Sequence, residues 1–220
     1  MLNLFKAFKE QYSGRYYILF LSLIMLFILR PFLEDFFKYP FILDIFLSLV
    51  LFSGVYAVCE NRFQAVLSTV VAALSIGIWW SAQFYQNRIL DILSAIMGII
   101  FFYHIALTIF YDIFSKTKAT INIIFGALCA YFMIGFGWGF VYILADLIMP
   151  GSFQIAEAHI ITFSDYSYYS FVTLTTLGYG DITPLTNATQ MMSVLEAAFG
   201  QFYLAILIAG LVGKYISQKD

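Results

Sequence analysis

The chain has 220 residues, of which 62% are hydrophobic, 20% aromatic and only 11% charged. A soluble domain of this length needs far more polar surface, so the composition excludes an ordinary soluble protein and predicts an integral membrane protein. The net charge of -2 gives no reason to expect a nucleic-acid partner, and no cluster of basic residues indicates a dedicated site for anionic lipids.

Residues 1–15 begin the chain with apolar side chains at helical spacing, interrupted by Lys6, Lys9 and Glu10. This pattern favours a short helix at the membrane surface, with an unstructured tail as the open alternative. The first apolar run follows at 16–29 and is expected to end before Arg30-Pro31. No small-residue cleavage site follows it, so we interpret it as an uncleaved first span.

Five further apolar runs are long enough, with their flanks, for a helix of about 20 residues to cross the hydrocarbon. They lie at 41–58, 64–80, 89–111, 121–149 and 187–216. Short linkers between the first five runs force antiparallel neighbours. The sequence therefore predicts an all-α membrane protein with six transmembrane helices, and it assigns Trp79 and Trp80 to the outer membrane interface, where indole rings are favoured.

The loop between the last two runs contains residues 170–184, SFVTLTTLGYGDITP. Ser164 or Asp165 is predicted to cap a short helix that continues to about Thr175 and points its negative end toward the following strand. Aiming successive carbonyl groups in one direction places some residues in backbone regions that a Cβ atom disfavours, so Gly178 and Gly180 fit such a strand. Non-helical backbone at membrane depth is tolerated only where protein surrounds it.

These residues resemble the tetrameric potassium channel family, and specifically bacterial six-span channels with a single pore loop and no arginine-bearing voltage sensor. The resemblance implies a re-entrant pore helix followed by a selectivity filter, with K+ as the bound ion and no organic cofactor. It implies ion-binding roles for five residues, with Thr176 supplying its hydroxyl as well as its carbonyl: Thr176, Leu177, Gly178, Tyr179 and Gly180. Filter support is expected from Thr175, Asp181 and Tyr169, with Tyr169 as the bonding partner of Asp181.

Leu177 departs from the family pattern, in which valine is usual. Because its carbonyl would face the ion and its side chain the surrounding protein, we expect potassium selectivity to persist. A weakly selective cation channel remains open, as do a potassium transporter and a non-conducting subunit. The alternative without any channel function is that Gly178-Tyr179-Gly180 forms a tight turn in an unrelated membrane protein. No catalytic arrangement is present, so an enzyme is not expected.

The fourth apolar run lies where six-span voltage-gated channels carry their voltage sensor. Such a sensor needs several regularly spaced basic residues, because one charge crossing the membrane gains only about 2.3 kcal/mol per 100 mV. Residues 89–111 contain no Lys or Arg, and Arg88 stands at the edge with Asp91 in reach as a partner. The sequence therefore predicts a voltage-independent channel. His104 is interpreted as a bundle-facing polar residue, with a pH switch as the alternative.

The last run is similar to a pore-lining inner helix. Gly200 follows Asp181 at the distance of a gating hinge in the family, although close packing on a neighbouring helix explains a glycine equally simply. Ala209, Gly210 and Gly213 are candidates for a narrow bundle crossing. Glu196 lies in an apolar helix, and we expect it to be protonated or hydrogen-bonded behind the filter in a structural role.

The domain prediction comprises an interfacial segment (1–15), a four-helix domain (16–111), a linker (112–120), a pore domain (121–216) and a short cytoplasmic tail (217–220). With both termini in the cytoplasm, eight of the 11 Lys and Arg residues lie inside. A bacterial inner membrane is the expected location. One filter strand per chain requires a homotetramer. Membrane lipids are the other expected partners, nucleic acid is not one, and room remains for a regulatory subunit.

Overall fold

The computed structural model describes residues 14–37, 41–59, 62–85, 87–116, 120–155 and 162–216. This part of the chain forms seven helices and two short strands. They are α1 (Arg15–Phe37), α2 (Phe41–Val58), α3 (Arg62–Tyr85), α4 (Arg88–Ser115), α5 (Ile121–Ile148), β1 (Phe153–Ile155), α6 (Phe163–Leu174), β2 (Ile182–Pro184) and α7 (Asn187–Ile216). The predicted surface helix, at residues 1–12, and the tail at 217–220 lie outside the described residues.

Among the described residues, four helices are long and apolar enough to cross a membrane: α3, α4, α5 and the Asn187–Leu207 part of α7. In α1 and α2 the apolar stretches Arg15–Leu29 and Ile45–Val58 are shorter. The mostly helical structure and these apolar helices confirm the all-α membrane class that the composition predicts.

Helix α1 continues to Phe37 and does not end before Arg30-Pro31 as the sequence predicts. A proline removes one helical hydrogen bond and crowds the preceding turn. Helices in membranes tolerate this loss because neighbouring helices and local adjustments satisfy the freed backbone groups. The linker between α1 and α2 is correspondingly shorter than expected.

Helix α5 lies at the centre of the molecule. Its most extensive contacts are with α4, and it also packs against α1, α6 and α7. Helices α2 and α3 lie farther from α5, against α1 and α4. The first four helices therefore dock on the first helix of the carboxyl-terminal region (residues 121–216) of the same chain.

Aromatic rings fill much of this contact. Trp79 of α3 stacks on Phe140 of α5 with 5.6 Å between ring centroids and 9° between ring planes, and its Nε1–H donates to Ser94 O at 2.9 Å. Only 6% of Trp79 is exposed. Helices α3, α4 and α5 thus enclose the indole of Trp79, and the assignment of Trp79 and Trp80 to the outer interface stays a prediction.

A group of polar side chains, the Asp112 cluster, joins the start of α1 to the end of α4. Asp112 Oδ2 accepts hydrogen bonds from Tyr16 OH at 2.5 Å, Arg15 Nη2 at 3.0 Å and Lys116 Nζ at 3.0 Å. The ring of Tyr16 also covers Gly126 of α5, where an added Cβ would lie 3.0 Å from the ring. One buried carboxylate thus ties two helices together directly above the start of a third.

Two polar residues of α4 have partners in the structure. His104 Nε2 lies 2.9 Å from Ser68 Oγ of α3, so it faces the bundle and is hydrogen-bonded as predicted. The sequence places Asp91 in reach of Arg88, but in the structure Arg88 Nη2 donates to Leu147 O of α5 at 2.8 Å instead. The last carbonyls of a helix lack helical partners and attract a positive charge, which explains why the Arg88 guanidinium binds at the end of α5.

Candidate functional site

Helix α6 precedes the candidate filter (residues 175–181), and it begins earlier than the sequence predicts. Thr162 is its N-cap, and neither Ser164 nor Asp165 takes that position. Asp165 Oδ2 instead accepts hydrogen bonds from the backbone N–H of Thr162 at 2.6 Å and from its hydroxyl at 3.0 Å. The Thr-x-x-Asp spacing forms a capping box, in which the acidic residue reaches back to the cap.

The carboxyl end of α6 closes with a Schellman motif that opens the candidate filter. Leu177 N donates to Val172 O at 2.9 Å, and Thr176 N donates to Thr173 O at 2.9 Å. In such a motif the residue that follows the helix cap adopts a left-handed conformation. Here that residue is Thr176, which has a φ of 60°. Glycine normally occupies this position. A threonine there costs about 1 kcal/mol, and such strain is concentrated at functional sites.

Left-handed residues alternate along the candidate filter. Thr176, Gly178 and Gly180 have φ values of 60°, 61° and 79°, whereas Leu177 and Tyr179 between them have negative φ. The two glycines thus occupy the backbone region that the sequence predicts for them. A strand can turn successive carbonyl groups toward one side only if such residues recur along it, so the backbone of residues 176–180 is compatible with the predicted row of carbonyl oxygens.

Thr176 also has a side-chain partner on the inner helix. Gln201 Nε2 of α7 lies 3.4 Å from Thr176 Oγ1, at the long limit of a hydrogen bond. The hydroxyl at the inner end of the candidate filter therefore faces the middle of α7. Sequence reasoning did not identify Gln201, because an amide in an apolar helix gives no motif.

A two-stranded sheet holds the outer end of the candidate filter. Strands β1 and β2 pair antiparallel, with Gln154 opposite Thr183. Beyond the sheet, Leu185 N donates to Ser152 O at 2.8 Å, and Ser152 N donates to Asp146 Oδ1 of α5 at 3.0 Å. The segment that follows the candidate filter is thereby bonded to the end of α5.

Asp181 is bound by the neighbouring tyrosine and not by the predicted one. Tyr168 OH donates to Asp181 Oδ2 at 2.6 Å, whereas Tyr169 OH lies 2.6 Å from Ser193 Oγ of α7. One residue turns a helix by about 100°. Tyr168 therefore faces the candidate filter, and Tyr169 faces α5 and α7. Partial burial and the bond to Asp181 raise the pKa of Tyr168 to about 12, which keeps this donor protonated at neutral pH.

An aromatic cluster supports α6 from behind. Tyr169 is 6% exposed, and its ring lies 4.9 Å from that of Tyr142 and 5.4 Å from that of Phe153. Phe153 also contacts Tyr166 in an edge-on arrangement. Ile182 of β2 belongs to the same cluster. Tyr169 is thus a supporting residue of α6, although not through Asp181.

Glu196 of α7 is fully buried behind α6. Its Oε2 lies 2.5 Å from Tyr142 OH of α5, and its Oε1 lies 2.5 Å from Ser170 Oγ of α6. The carboxyl group therefore links three helices, which agrees with the structural role expected from the sequence.

The middle of α7 approaches the end of α6 very closely at Gly200. A Cβ added to Gly200 would lie 2.1 Å from Leu174 O, so the packing explanation for this glycine has direct support. Helix α7 runs without interruption through the position. Farther along, Ala209 and Gly213 are exposed and Gly210 is half-buried in the single chain.

The side chains of the candidate filter line a groove on the outer side of the strand. Leu177 and Tyr179 are 59% and 68% exposed in the single chain. They border a cavity of about 540 Å³ between α1, α5 and α6, together with Phe27, Tyr131 and Phe171.

Within the part of the chain that the structure describes, no group of acidic, His or Cys side chains forms a metal site. Any cation bound here would depend on backbone and hydroxyl oxygens.

Residues 128–217 match the model of a family described as ion channel. Over 89 residues the chain is 36% identical to two pore potassium channel c of Oryza sativa subsp. japonica, which covers 37% of this chain and 20% of that protein. It is 46% identical over 56 residues to two-pore potassium channel 5 of Arabidopsis thaliana, covering 26% of this chain and 14% of that protein.

A longer alignment, with two-pore potassium channel 2 of Arabidopsis thaliana, is 29% identical over 106 residues and covers 48% of this chain and 22% of that protein. The chain thus spans about a fifth of the length of these curated relatives. No solved structure matches the chain. Residues 128–217, which include the candidate filter, thus match an ion-channel family, and the chain is similar to potassium channels.

Proposed function

We propose that the chain is one subunit of a potassium-selective channel that conducts K+ passively across a membrane. The observation that carries the proposal is the backbone of residues 176–180, in which left-handed residues alternate with negative-φ residues. The strand starts at the carboxyl end of α6, where the helix dipole favours a cation. Its similarity to potassium channels covers the same segment.

Potassium enters a narrow pore only if protein oxygens replace its water. In this proposal the carbonyls of Thr176, Leu177, Gly178, Tyr179 and Gly180 supply these oxygens, and the Thr176 hydroxyl completes the innermost site. Thr175 closes α6 through its hydroxyl, which donates to Phe171 O at 2.5 Å, and Asp181 fixes the outer end through Tyr168. K+ is the permeating ion, and the proposal needs no organic cofactor.

The proposal requires a homotetramer, because one strand cannot surround an ion. The exposed side chains of Leu177 and Tyr179 support it, since large apolar groups next to a pore need a protein neighbour. Apolar residues on α7, such as Leu195 and Phe199, are likewise exposed in the single chain. Contact between one copy's α7 and the groove beside the next copy's filter covers both surfaces.

The division into a four-helix domain (16–111), a linker (112–120) and a pore domain (121–216) is part of the proposal, as are six spans. Both termini would lie in the cytoplasm, in a bacterial inner membrane. Voltage independence follows from α4, which carries no Lys or Arg between Ile89 and Tyr111 and packs along α5. Gly200 as a hinge, and Ala209, Gly210 and Gly213 as a bundle crossing, remain predictions about gating.

A weakly selective cation channel is the second candidate, and Leu177 is the observation that favours it. Leucine carries one more methylene than the usual valine, and this side chain borders the groove behind the candidate filter. A poor fit there would loosen the strand without removing any oxygen.

The test is the reversal potential of the full chain in planar bilayers with unequal K+ and Na+. A potential close to the K+ equilibrium value supports the proposal. Equal permeability that becomes selective in Leu177→Val supports the second candidate. Slow, saturable uptake into liposomes indicates a carrier, and the absence of any flux from a correctly assembled oligomer indicates a non-conducting subunit. Either of these two results overturns the channel proposal.

A further inference from the structure

Three short oxygen contacts meet at Ser170 and Glu196. Ser170 Oγ lies 2.6 Å from Gly135 O and 2.5 Å from Glu196 Oε1. Tyr142 OH lies 2.5 Å from Glu196 Oε2. Ser170 and Glu196 are both 0% exposed, so bulk water does not separate these atoms. Each contact is short enough to require a proton between the two oxygens.

Counting protons assigns the state of the carboxyl group. The hydroxyls of Ser170 and Tyr142 have one hydrogen each, and the carbonyl of Gly135 has none. Three contacts therefore need a third hydrogen. Only the Glu196 carboxyl can supply it, because an ionised carboxylate is an acceptor without any hydrogen.

We propose that Glu196 is a neutral carboxylic acid that positions α6, with its O–H donated to Ser170 Oγ. Ser170 in turn donates to Gly135 O of α5, and Tyr142 OH donates to the carbonyl oxygen of the acid. This chain of hydrogen bonds has one direction and leaves no unpaired hydrogen. It joins α5, α6 and α7 at one point.

The surroundings of Glu196 agree with a neutral group. Four tyrosines among the described residues lie close enough to interact with a charge on Glu196: Tyr103 of α4, Tyr131 and Tyr142 of α5, and Tyr169 of α6. Among the described residues, no Lys, Arg or His is bonded to Glu196. A charge in the apolar interior of a membrane protein without a partner is expensive.

The position of the link gives it a role in conduction, and this role rests on the proposed function. Ser170 lies in α6, and the Schellman motif that sets the conformation of Thr176 begins only two residues later, at Val172. Small shifts of α6 along α5 would move the strand that follows. The bond from Ser170 to Gly135 O resists this movement because the acid fixes the direction of the Ser170 hydroxyl.

Infrared spectroscopy tests the protonation state directly. The wild-type protein should show the carbonyl stretch of a protonated carboxylic acid at neutral and mildly alkaline pH, and Glu196→Gln should remove that band. Asp91→Asn is the matched control, because Asp91 is a partly exposed carboxyl of α4, and its spectrum should keep the band. Identical spectra for wild type and Glu196→Gln would overturn the inference.

Flux measurements test the positioning role with two variants. A glutamine can copy the neutral acid, since its N–H donates to Ser170 and its oxygen accepts from Tyr142, so K+ flux should stay within about twofold of wild type. Glu196→Ala leaves two buried hydroxyls without their partner, and flux should fall by roughly tenfold or more. If wild type conducts and both variants lose flux equally, the positioning role is wrong. If wild type itself does not conduct, the proposed function fails, while the infrared result still decides the protonation state.

Discussion

The first four helices and the carboxyl-terminal region are held together by different kinds of contact. Within α1 to α4, the side-chain hydrogen bonds between helices include isolated pairs such as Ser22 with Ser53 and the Asp112 cluster at the start of α1 and the end of α4, and most of the remaining contact is apolar. Within residues 121–216, buried polar groups such as Tyr142, Ser170 and Glu196 join one element to the next. Apolar packing is not directional, whereas hydrogen bonds fix angles and distances. Buried directional contacts thus surround α6, the helix that precedes the candidate filter.

Aromatic rings make close contacts between the two regions. Phe27 of α1 lies 4.9 Å from Phe171 of α6 between ring centroids, and Trp79 of α3 stacks on Phe140. The first four helices therefore reach the helix in front of the candidate filter through aromatic rings. We infer that the first four helices stabilise the carboxyl-terminal region. The following five predictions test this difference between the two regions.

The largest effect is expected for Gly178→Ala. Alanine at a φ of 61° costs about 1–2 kcal/mol per chain and disfavours the carbonyl direction that the strand needs, so K+ flux should fall more than roughly tenfold. Gly77→Ala in α3 is the matched control, because a Cβ there meets nothing within 4 Å. Liposome flux checks both variants, and equal activity would contradict the filter assignment.

Gly200→Ala should also reduce flux, and it should lower stability as well. The new Cβ would lie 2.1 Å from Leu174 O, so α7 and α6 must separate at a cost of about 1–3 kcal/mol. Thermal unfolding of the oligomer measures this cost. Gly77→Ala is again the control, since a Cβ there meets nothing within 4 Å. Unchanged stability with an altered open probability would favour the hinge over close packing.

Asp112→Asn should weaken the connection between α1 and α4, within the first four helices, while leaving ion selection intact. Asp112 is the acceptor for Arg15, Tyr16 and Lys116, and its side chain is 12% exposed. Loss of the charge removes the ionic part of the contacts that Asp112 makes with Arg15 and Lys116 and should cost roughly 1–3 kcal/mol of stability. The denaturation midpoint should fall, and the ratio of K+ to Na+ permeability should not change. Asp91→Asn serves as the control, and a changed permeability ratio would contradict the separation of roles.

Tyr168→Phe should have a smaller effect at the outer end of the candidate filter. The variant loses the hydrogen bond to Asp181, which is worth about 0.5–1.5 kcal/mol; Tyr168 is 40% exposed, so a value at the low end is expected. Because the pKa of Tyr168 is raised to about 12, the wild-type phenol keeps its proton below that value. The difference in flux between wild type and variant should therefore be the same at neutral and mildly alkaline pH. Tyr17→Phe provides a control in α1.

Arg88→Gln should have the smallest effect. This residue is bonded to Leu147 O at the end of α5, and α4 holds no Lys or Arg between Ile89 and Tyr111. The open probability should be equally insensitive to voltage in wild type and in Arg88→Gln. A steep voltage dependence in wild type that disappears in the variant would show that the first four helices are a sensor.

Sequence reasoning predicted the candidate filter because its requirements are local. The two glycines follow from backbone sterics at single residues, and φ values of 61° and 79° agree. It failed by one residue at the partner of Asp181, because a motif does not fix the rotation of α6. It also did not identify the strand Phe153–Ile155, since three residues are too few to show a strand period.

The composition and the apolar runs, by themselves, determined that this is a helical membrane protein, and the glycine-spaced segment at 170–184 showed where its candidate filter lies. Hydrophobic burial and glycine sterics act over a few residues, so both are readable from the chain. Only the tertiary structure decided that α1 and α4 pack on α5, that Tyr168 reaches Asp181, and that Glu196 meets Ser170 and Tyr142. Those contacts join residues far apart in the chain, and they depend on helix rotations that a sequence pattern leaves open.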